Sequence, residues 1–149
     1  MDNQKLIHYL NQLLSNQFVM YVKLHRYHWY IQGSHFFQLH DLFEEMYEQF
    51  AKQLDETAER ILMINGKPLA TMASYIKEAS LVEASADDKE KEILMQLQDD
   101  LNQLITEIHD LGLRAAHDNR DEVTIDMLIG FQQYYEKMLW MSKAYLHQL

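Results

Sequence analysis

Apolar residues recur every three or four positions along four long stretches of this chain, and nowhere do they alternate as a half-buried strand would. The first stretch, about Asn3 to Ile31, carries Leu6, Leu10, Leu13, Leu14, Phe18, Tyr21 and Leu24. Gly33 reads as its C-terminal stop and Ser34 as the N-cap of the next helix. The second, about Phe36 to Ile64, carries Phe36, Leu39, Phe43, Met46, Phe50, Leu54, Ala58, Ile61 and Leu62, and stops at Asn65-Gly66 with Pro68 beyond. Met72 to Ala79 predicts a short helix within the long link that follows. Asp87 opens the third stretch with Glu90 as its capping-box partner, and Leu94, Leu97, Leu101, Leu104, Ile108 and Leu111 continue it without a break. The fourth starts around Asp121–Thr124 and carries Met127, Phe131, Tyr134, Met138, Met141 and Tyr145.

The prediction is an all-α four-helix bundle with a short extra helix in the long connection between the second and third helices. That connection leaves room for a crossover of the kind found in ferritin-like folds, although helix count alone does not fix topology. At 149 residues, 48% of them apolar, the chain is sized for a single domain spanning 1–149. One Pro and four Gly leave little material for the frequent turns of a sandwich or barrel.

Charge and cysteine content narrow the function. Thirteen basic against twenty-three acidic residues give a formal charge of −10, which attracts cations and repels phosphate backbones. Direct DNA binding is therefore not expected. With no cysteine, thiolate metal sites, disulfides and Cys nucleophiles are excluded. No signal-like start and no uncharged apolar run of membrane-spanning length is present. The expectation is a soluble cytoplasmic protein. Gly-rich phosphate loops, HExxH and Glu-x-x-His are all missing.

Two pairs on the second helix carry the chemistry, His40/Glu44 and Asp55/Glu59. Residues four apart share a helix face, so each pair presents two ligands side by side. Glu44 and Asp55 are almost in phase, within about 20° after eleven steps, yet they stand roughly 16 Å apart along the axis. Metal–ligand bonds are about 2.0–2.2 Å, so one ion cannot join both pairs of one chain. The pairs mirror each other about a point between Gln49 and Phe50. Two such helices packed antiparallel about a two-fold axis there bring His40 and Glu44 of one chain opposite Glu59 and Asp55 of the other, giving two equivalent sites per dimer.

His28, five residues before Gly33, reaches a similar height to His40 if the first two helices form a hairpin. A set of His28, His40, Glu44, Asp55 and Glu59 is imidazole and carboxylate only, suited to divalent iron, manganese or zinc. Taken singly, a His on an apolar stripe is a core residue and acids four apart are a solvated face; the shared mirror point argues for more. Trp29 reads either as an electron donor to a strong oxidant or as packing, and Trp140 as packing. The nine Met and nine Tyr read chiefly as core filler. The acidic run from Asp118 to Asp126 complements a helix macrodipole, or lines a cation pore where subunits meet.

Several segments resemble the Dps family of mini-ferritins: His28-Trp29-Tyr30-Ile31-Gln32-Gly33, Phe36-Phe37-Gln38-Leu39-His40 and Asp55-Glu56-Thr57-Ala58-Glu59-Arg60. Gly66-Lys67-Pro68-Leu69-Ala70-Thr71, Asp126-Met127-Leu128 and Leu139-Trp140-Met141 extend the likeness over essentially the whole chain. The resemblance implies a homo-oligomeric, dodecameric hollow shell that oxidises Fe(II), preferentially with hydrogen peroxide, and stores ferric mineral against oxidative damage. It carries His28, His40, Asp55 and Glu59 across as ligands, the last two from the two-fold mate; where the family usually has Asp, this chain has Glu44. The family's acidic pore falls on 118–126, best matched by Glu122 and Asp126, with His117 where some relatives are acidic. Many relatives bind DNA through a Lys-rich tail. The alternative of a DNA-compacting nucleoid protein with secondary metal binding would need such a tail, which neither end of this sequence supplies.

Overall fold

The computed structural model of the protein describes residues 2–84 and 88–147. Among them are six α-helices: α1 (Gln4–Tyr30), α2 (Phe36–Met63), α3 (Met72–Glu78), α4 (Glu90–Glu107), α5 (Leu113–Asp118) and α6 (Glu122–Leu146), with a π-helical segment, Ile108–Gly112, joining α4 to α5. α3 is the short helix predicted inside the long connection. No helix among the described residues is long and apolar enough to cross a membrane.

Contacts at the two ends fix the topology. The Asn3 side-chain amide donates to the Ile64 carbonyl at 2.8 Å, so α1 starts where α2 finishes. At the opposite end the Gln32 N–H donates to the Asp88 carbonyl at 3.1 Å, so α4 begins beside the α1–α2 turn. The connection from α2 to α4 therefore returns along the bundle, and α4 runs parallel to α2. An Arg60–Asp121 ion pair at one end and a His35–Tyr145 ring contact at the other set α6 antiparallel to both. This is the single-crossover arrangement of ferritin-like bundles.

Side chains staple the crossover to the bundle. The rings of Phe18 and Tyr75 stack at 4.1 Å and seat α3 on α1. Buried Lys23 donates to the Val82 carbonyl at 2.9 Å and pairs with Asp100 of α4 at 2.6 Å. Burial raises the Asp100 carboxyl above its ordinary range, opposed by the Lys23 ammonium.

The core is built from Leu6, Leu10, Leu14 and Leu24 of α1, Phe43, Met46 and Phe50 of α2, Leu94, Leu97 and Leu101 of α4, and Leu128, Phe131 and Tyr135 of α6. Each such side chain contributes about 1.5–3 kcal/mol relative to exposure. At its centre the Tyr135 hydroxyl donates to Gln53 at 2.6 Å and accepts from Gln17 at 3.2 Å, tying α6 to α2 and α1.

Three local expectations are corrected. The third apolar stripe does break: through the π segment Leu111 swings out, half exposed, and Gly112 takes the inward position. A β-carbon on Gly112 would lie 2.5 Å from the Tyr9 ring, so the wider π turn and the missing side chain together admit that ring. The face of α6 is also rotated. Leu128, Phe131, Tyr135 and Ser142 are buried, whereas Met127, Tyr134, Met138 and Tyr145 are half-buried and Met141 is exposed.

Helix starts differ as well. Ser34 does not cap α2; the Glu90 carboxylate accepts the His35 N–H at 2.6 Å instead, from across the bundle. Asp87 lies outside the described residues, and Lys89 precedes the first turn of α4. Gly33 sits at φ +153°, where a β-carbon would strike the Glu90 carboxyl at 2.4 Å, so the glycine stop is also a steric requirement. Asn65-Gly66 closes α2 as predicted: Asn65 adopts φ +70°, Gly66 N–H reaches the Ile61 carbonyl at 2.8 Å, and Asn65 N–H reaches Leu62 at 3.1 Å.

Candidate metal centre

The short turn between α1 and α2 folds His28, in the last turn of α1, against His40, in the second turn of α2. Their rings stack at 3.7 Å with 14° between planes. Each Nδ1 lies 2.7 Å from the backbone carbonyl of the other histidine. A carbonyl only accepts, so both Nδ1 atoms carry the proton, and in the neutral imidazoles both Nε2 atoms keep their lone pairs. The bond to the His28 carbonyl also satisfies one of the acceptors left open at the C-terminus of α1. This reciprocal lock sets tautomer and ring orientation, as ligand histidines require.

Glu44, one turn after His40 and half exposed, places Oε1 3.7 Å from His28 Nε2. Asp55 and Glu59 are exposed further along α2. Arg60, the adjacent cation, turns away from them: it pairs with Asp121 at 2.8 Å and donates to the Thr124 hydroxyl at 2.9 Å. Asp55 and Glu59 make no ion pair within the chain among the described residues. Nor do three His, Asp or Glu side chains gather tightly enough there to hold a metal ion. The five candidate ligands thus fall into two groups on one chain. The donor set fits a hard or borderline divalent cation: two imidazole nitrogens with free lone pairs and three carboxylates.

At the other end, Asp121 caps α6 by accepting the Thr124 N–H at 3.0 Å. Burial alone would raise its carboxyl; the Thr124 hydroxyl and amide and the Arg60 guanidinium outweigh that and hold it below the ordinary value. Glu122 and Asp126, four apart on the first turns of α6, are exposed, as are His117 and Asp118.

Tyr47 is the residue that sequence reading passed over as core filler. It is half-buried, its ring stacked on His25 at 3.7 Å and edge-on to His28 at 5.5 Å. Burial, then Glu44 and Glu48, raise its phenol. Its position three residues after Glu44 was the available signal. Trp29 is 64% exposed and touches His25, not His28. His35 is half-buried with Nδ1 3.1 Å from Glu90.

The Ferritin family model, a ferritin-like domain, matches residues 7–149. General stress protein 20U of Bacillus subtilis is 42% identical over 97% of this chain and 99% of its own length. A Dps crystal structure from Bacillus brevis superposes with a TM-score of 0.95 at 37% identity, covering 98% of this chain and 99% of that one. A Dps structure from Vibrio cholerae O1, described as a member of a broad superfamily of ferritin-like diiron-carboxylate proteins, has a TM-score of 0.92 at 35% identity over 97% and 90% of the two chains. With the single-crossover bundle and the paired histidines already in place, these likenesses decide the family: the chain is a ferritin-like protein of the Dps family.

Proposed function

We propose that this chain stores and detoxifies iron, oxidising Fe(II) at sites shared between two-fold-related copies. Each site takes His28, His40 and Glu44 from one chain and Asp55 and Glu59 from its mate, with α2 packed antiparallel on α2. The carrying observation is the reciprocal histidine lock, which leaves two Nε2 lone pairs near Glu44 with no further group among the described residues to complete a metal site. The exposed, unpaired carboxylates of the same helix, mirrored about Gln49 and Phe50, supply the missing half.

Further features support assembly. An apolar groove of about 600 Å³ between α1 and α3, lined by Val22, Trp29, Met72 and Ile76 among others, adjoins Tyr47 through His25 and offers a face for a second copy to cover. Twelve such chains would close the shell, here in the cytoplasm, with Glu122 and Asp126 drawing Fe(II) in at openings where subunits meet.

Within the site the imidazoles bind Fe(II) through Nε2 without losing a proton, and the carboxylates balance the charge gained on oxidation. Hydrogen peroxide, the acceptor, takes two electrons from two ferrous ions and leaves as water. Ferric iron then hydrolyses and is held as mineral inside. Zinc and manganese compete for the same donors. Stopped-flow oxidation of Fe(II) by peroxide and by dioxygen tests the reading. Replacing Asp55 by Asn or Glu59 by Gln slows oxidation sharply while the particle keeps its mass; unchanged kinetics in both variants would refute the site.

A further inference from the structure

Only residues 31–35 join α1 to α2, and the reciprocal histidine lock spans them. Its two bonds, each 2.7 Å, hold only while the last turn of α1 and the second turn of α2 keep one register. The link supplies no side-chain cap for α2. The hold comes instead from the start of α4. The Gln32 N–H donates to the Asp88 carbonyl at 3.1 Å, and Arg26 pairs with the Asp88 side chain at 3.4 Å. Glu90 then closes the turn: Oε1 accepts the His35 N–H at 2.6 Å, and Oε2 lies 3.1 Å from His35 Nδ1. Its carboxyl fills the space that Gly33 leaves open. The His35 ring meets Tyr145 of α6 edge-on at 5.3 Å, so α1, α2, α4 and α6 all converge on this turn. A glutamate in the first turn of a helix favours the macrodipole from a solvated position, and burying a carboxylate is costly unless hydrogen bonds offset the lost solvation. Glu90 is buried nonetheless, so its placement serves the α1–α2 turn more than its own helix.

We propose that Glu90 is a positioning residue for the iron site: by gripping the 31–35 turn from α4 it sets the histidine lock, and with it the two Nε2 lone pairs, before metal arrives. The inference rests on the iron-site reading above. Glu90 contacts neither His28 nor His40; it acts through the His35 N–H, one helical turn and a little more before His40. Ligands fixed in advance lose less freedom on binding, so the effect falls on metal affinity. Once metal has drawn the imidazoles into place, oxidation meets the same donors and its maximal rate is kept. The role is that of an acceptor and not of a charge, because an amide oxygen can take the His35 N–H as a carboxylate does.

The test titrates assembled shells with Co(II), a redox-inert stand-in whose visible absorption reports its ligands, and follows metal-free shells by hydrogen–deuterium exchange. Glu90→Ala is expected to weaken Co(II) binding about tenfold, the scale of losing a group that orients a metal ligand. The Fe(II) concentration for half-maximal oxidation should rise in step, with the maximal rate unchanged, and exchange across 31–40 should quicken in the absence of metal. Glu90→Gln is expected to restore both affinity and protection. Glu90→Asp, one methylene short, should fall between native and Glu90→Ala, and stands in for Glu90→Ala if that chain does not assemble. Asn3→Ala removes the side-chain tie to the Ile64 carbonyl at the far end of α2 and controls for general loosening; it is expected to bind Co(II) as the native chain does. Native affinity in the truncated Glu90 variants, Glu90→Gln as weak as Glu90→Ala, or an equal loss in Asn3→Ala overturns the inference. If native shells bind Co(II) no better than His28→Ala shells, the underlying iron-site reading fails instead.

Discussion

The two halves of the proposed site are built to opposite rules. The imidazole half is finished within one chain: His28 is buried, His40 half-buried, and each ring is bonded to the other's backbone and stacked upon it. The carboxylate half is unfinished: Asp55 and Glu59 stand exposed with no ion pair in the chain among the described residues. Orientation that must be set before metal arrives is supplied by folding. In the proposed site, charge that would repel if gathered early comes from a second copy, so the acids would meet the histidines when the dimer forms.

The comparison breaks most decisively by mixing. Chains with His28→Ala and His40→Ala, and chains with Asp55→Ala and Glu59→Ala, are each expected to lose peroxide-driven oxidation. In a mixed dimer, one site has lost both halves and the other has kept both. Random co-assembly of equal amounts should therefore restore about a quarter of native activity. If each site were built within one chain, mixing would restore nothing. Stopped-flow absorbance on shells refolded together, against the same shells mixed after assembly, reads the difference.

Stability should divide the halves the same way. His40→Ala removes a donor to the His28 carbonyl along with a stacked ring, and should cost about 1–3 kcal/mol. Asp55→Ala or Glu59→Ala removes no side-chain hydrogen bond or ion pair among the described residues and should stay within about 0.5 kcal/mol in the metal-free protein. Denaturant midpoints at matched protomer concentration check this, since assembly couples to apparent stability. A carboxylate variant as costly as His40→Ala would mean that the acids already have partners inside the chain.

Most of the bundle was legible in the sequence because its signals are local. Helical periodicity, the Asn65-Gly66 stop and the Met72 helix all depend on a few adjacent residues. What was hidden depends on distant atoms. Ser34 looked like the cap of α2, but Glu90, fifty-five residues beyond His35, takes that place by accepting the His35 N–H. The turned face of α6 follows from the buried hydrogen bonds of Tyr135 with Gln17 and Gln53, polar residues that an apolar count passes over. Leu111 kept the apolar step, yet the π segment turned Gly112 inward to make room for Tyr9. At the site, the spacing of His40, Glu44, Asp55 and Glu59 predicts a split site. The carbonyl lock on the two imidazoles, and the place of Tyr47 beside them, required the fold.

The smallest expected effect concerns what holds the carboxylate end of α2. There Arg60, next to Glu59, is drawn to Asp121, and Asp121 also caps α6. The folded protein holds the Asp121 carboxyl below its ordinary value, so folding favours the ionised form. That contribution is fully present above the ordinary carboxylate range, near pH 4, and is lost as pH falls through the lower folded value. Asp121→Asn keeps a capping side chain but loses the charge, and should therefore cost about 0.5 kcal/mol at neutral pH, the scale of a partly exposed ion pair. The deficit should shrink as acid protonates the native residue. Unfolding midpoints of the two proteins, followed from neutral to acid pH, should converge. A deficit that stays constant with pH would mean the carboxyl acts by shape and hydrogen bonding alone, leaving the Arg60 side of the carboxylate half without its electrostatic anchor.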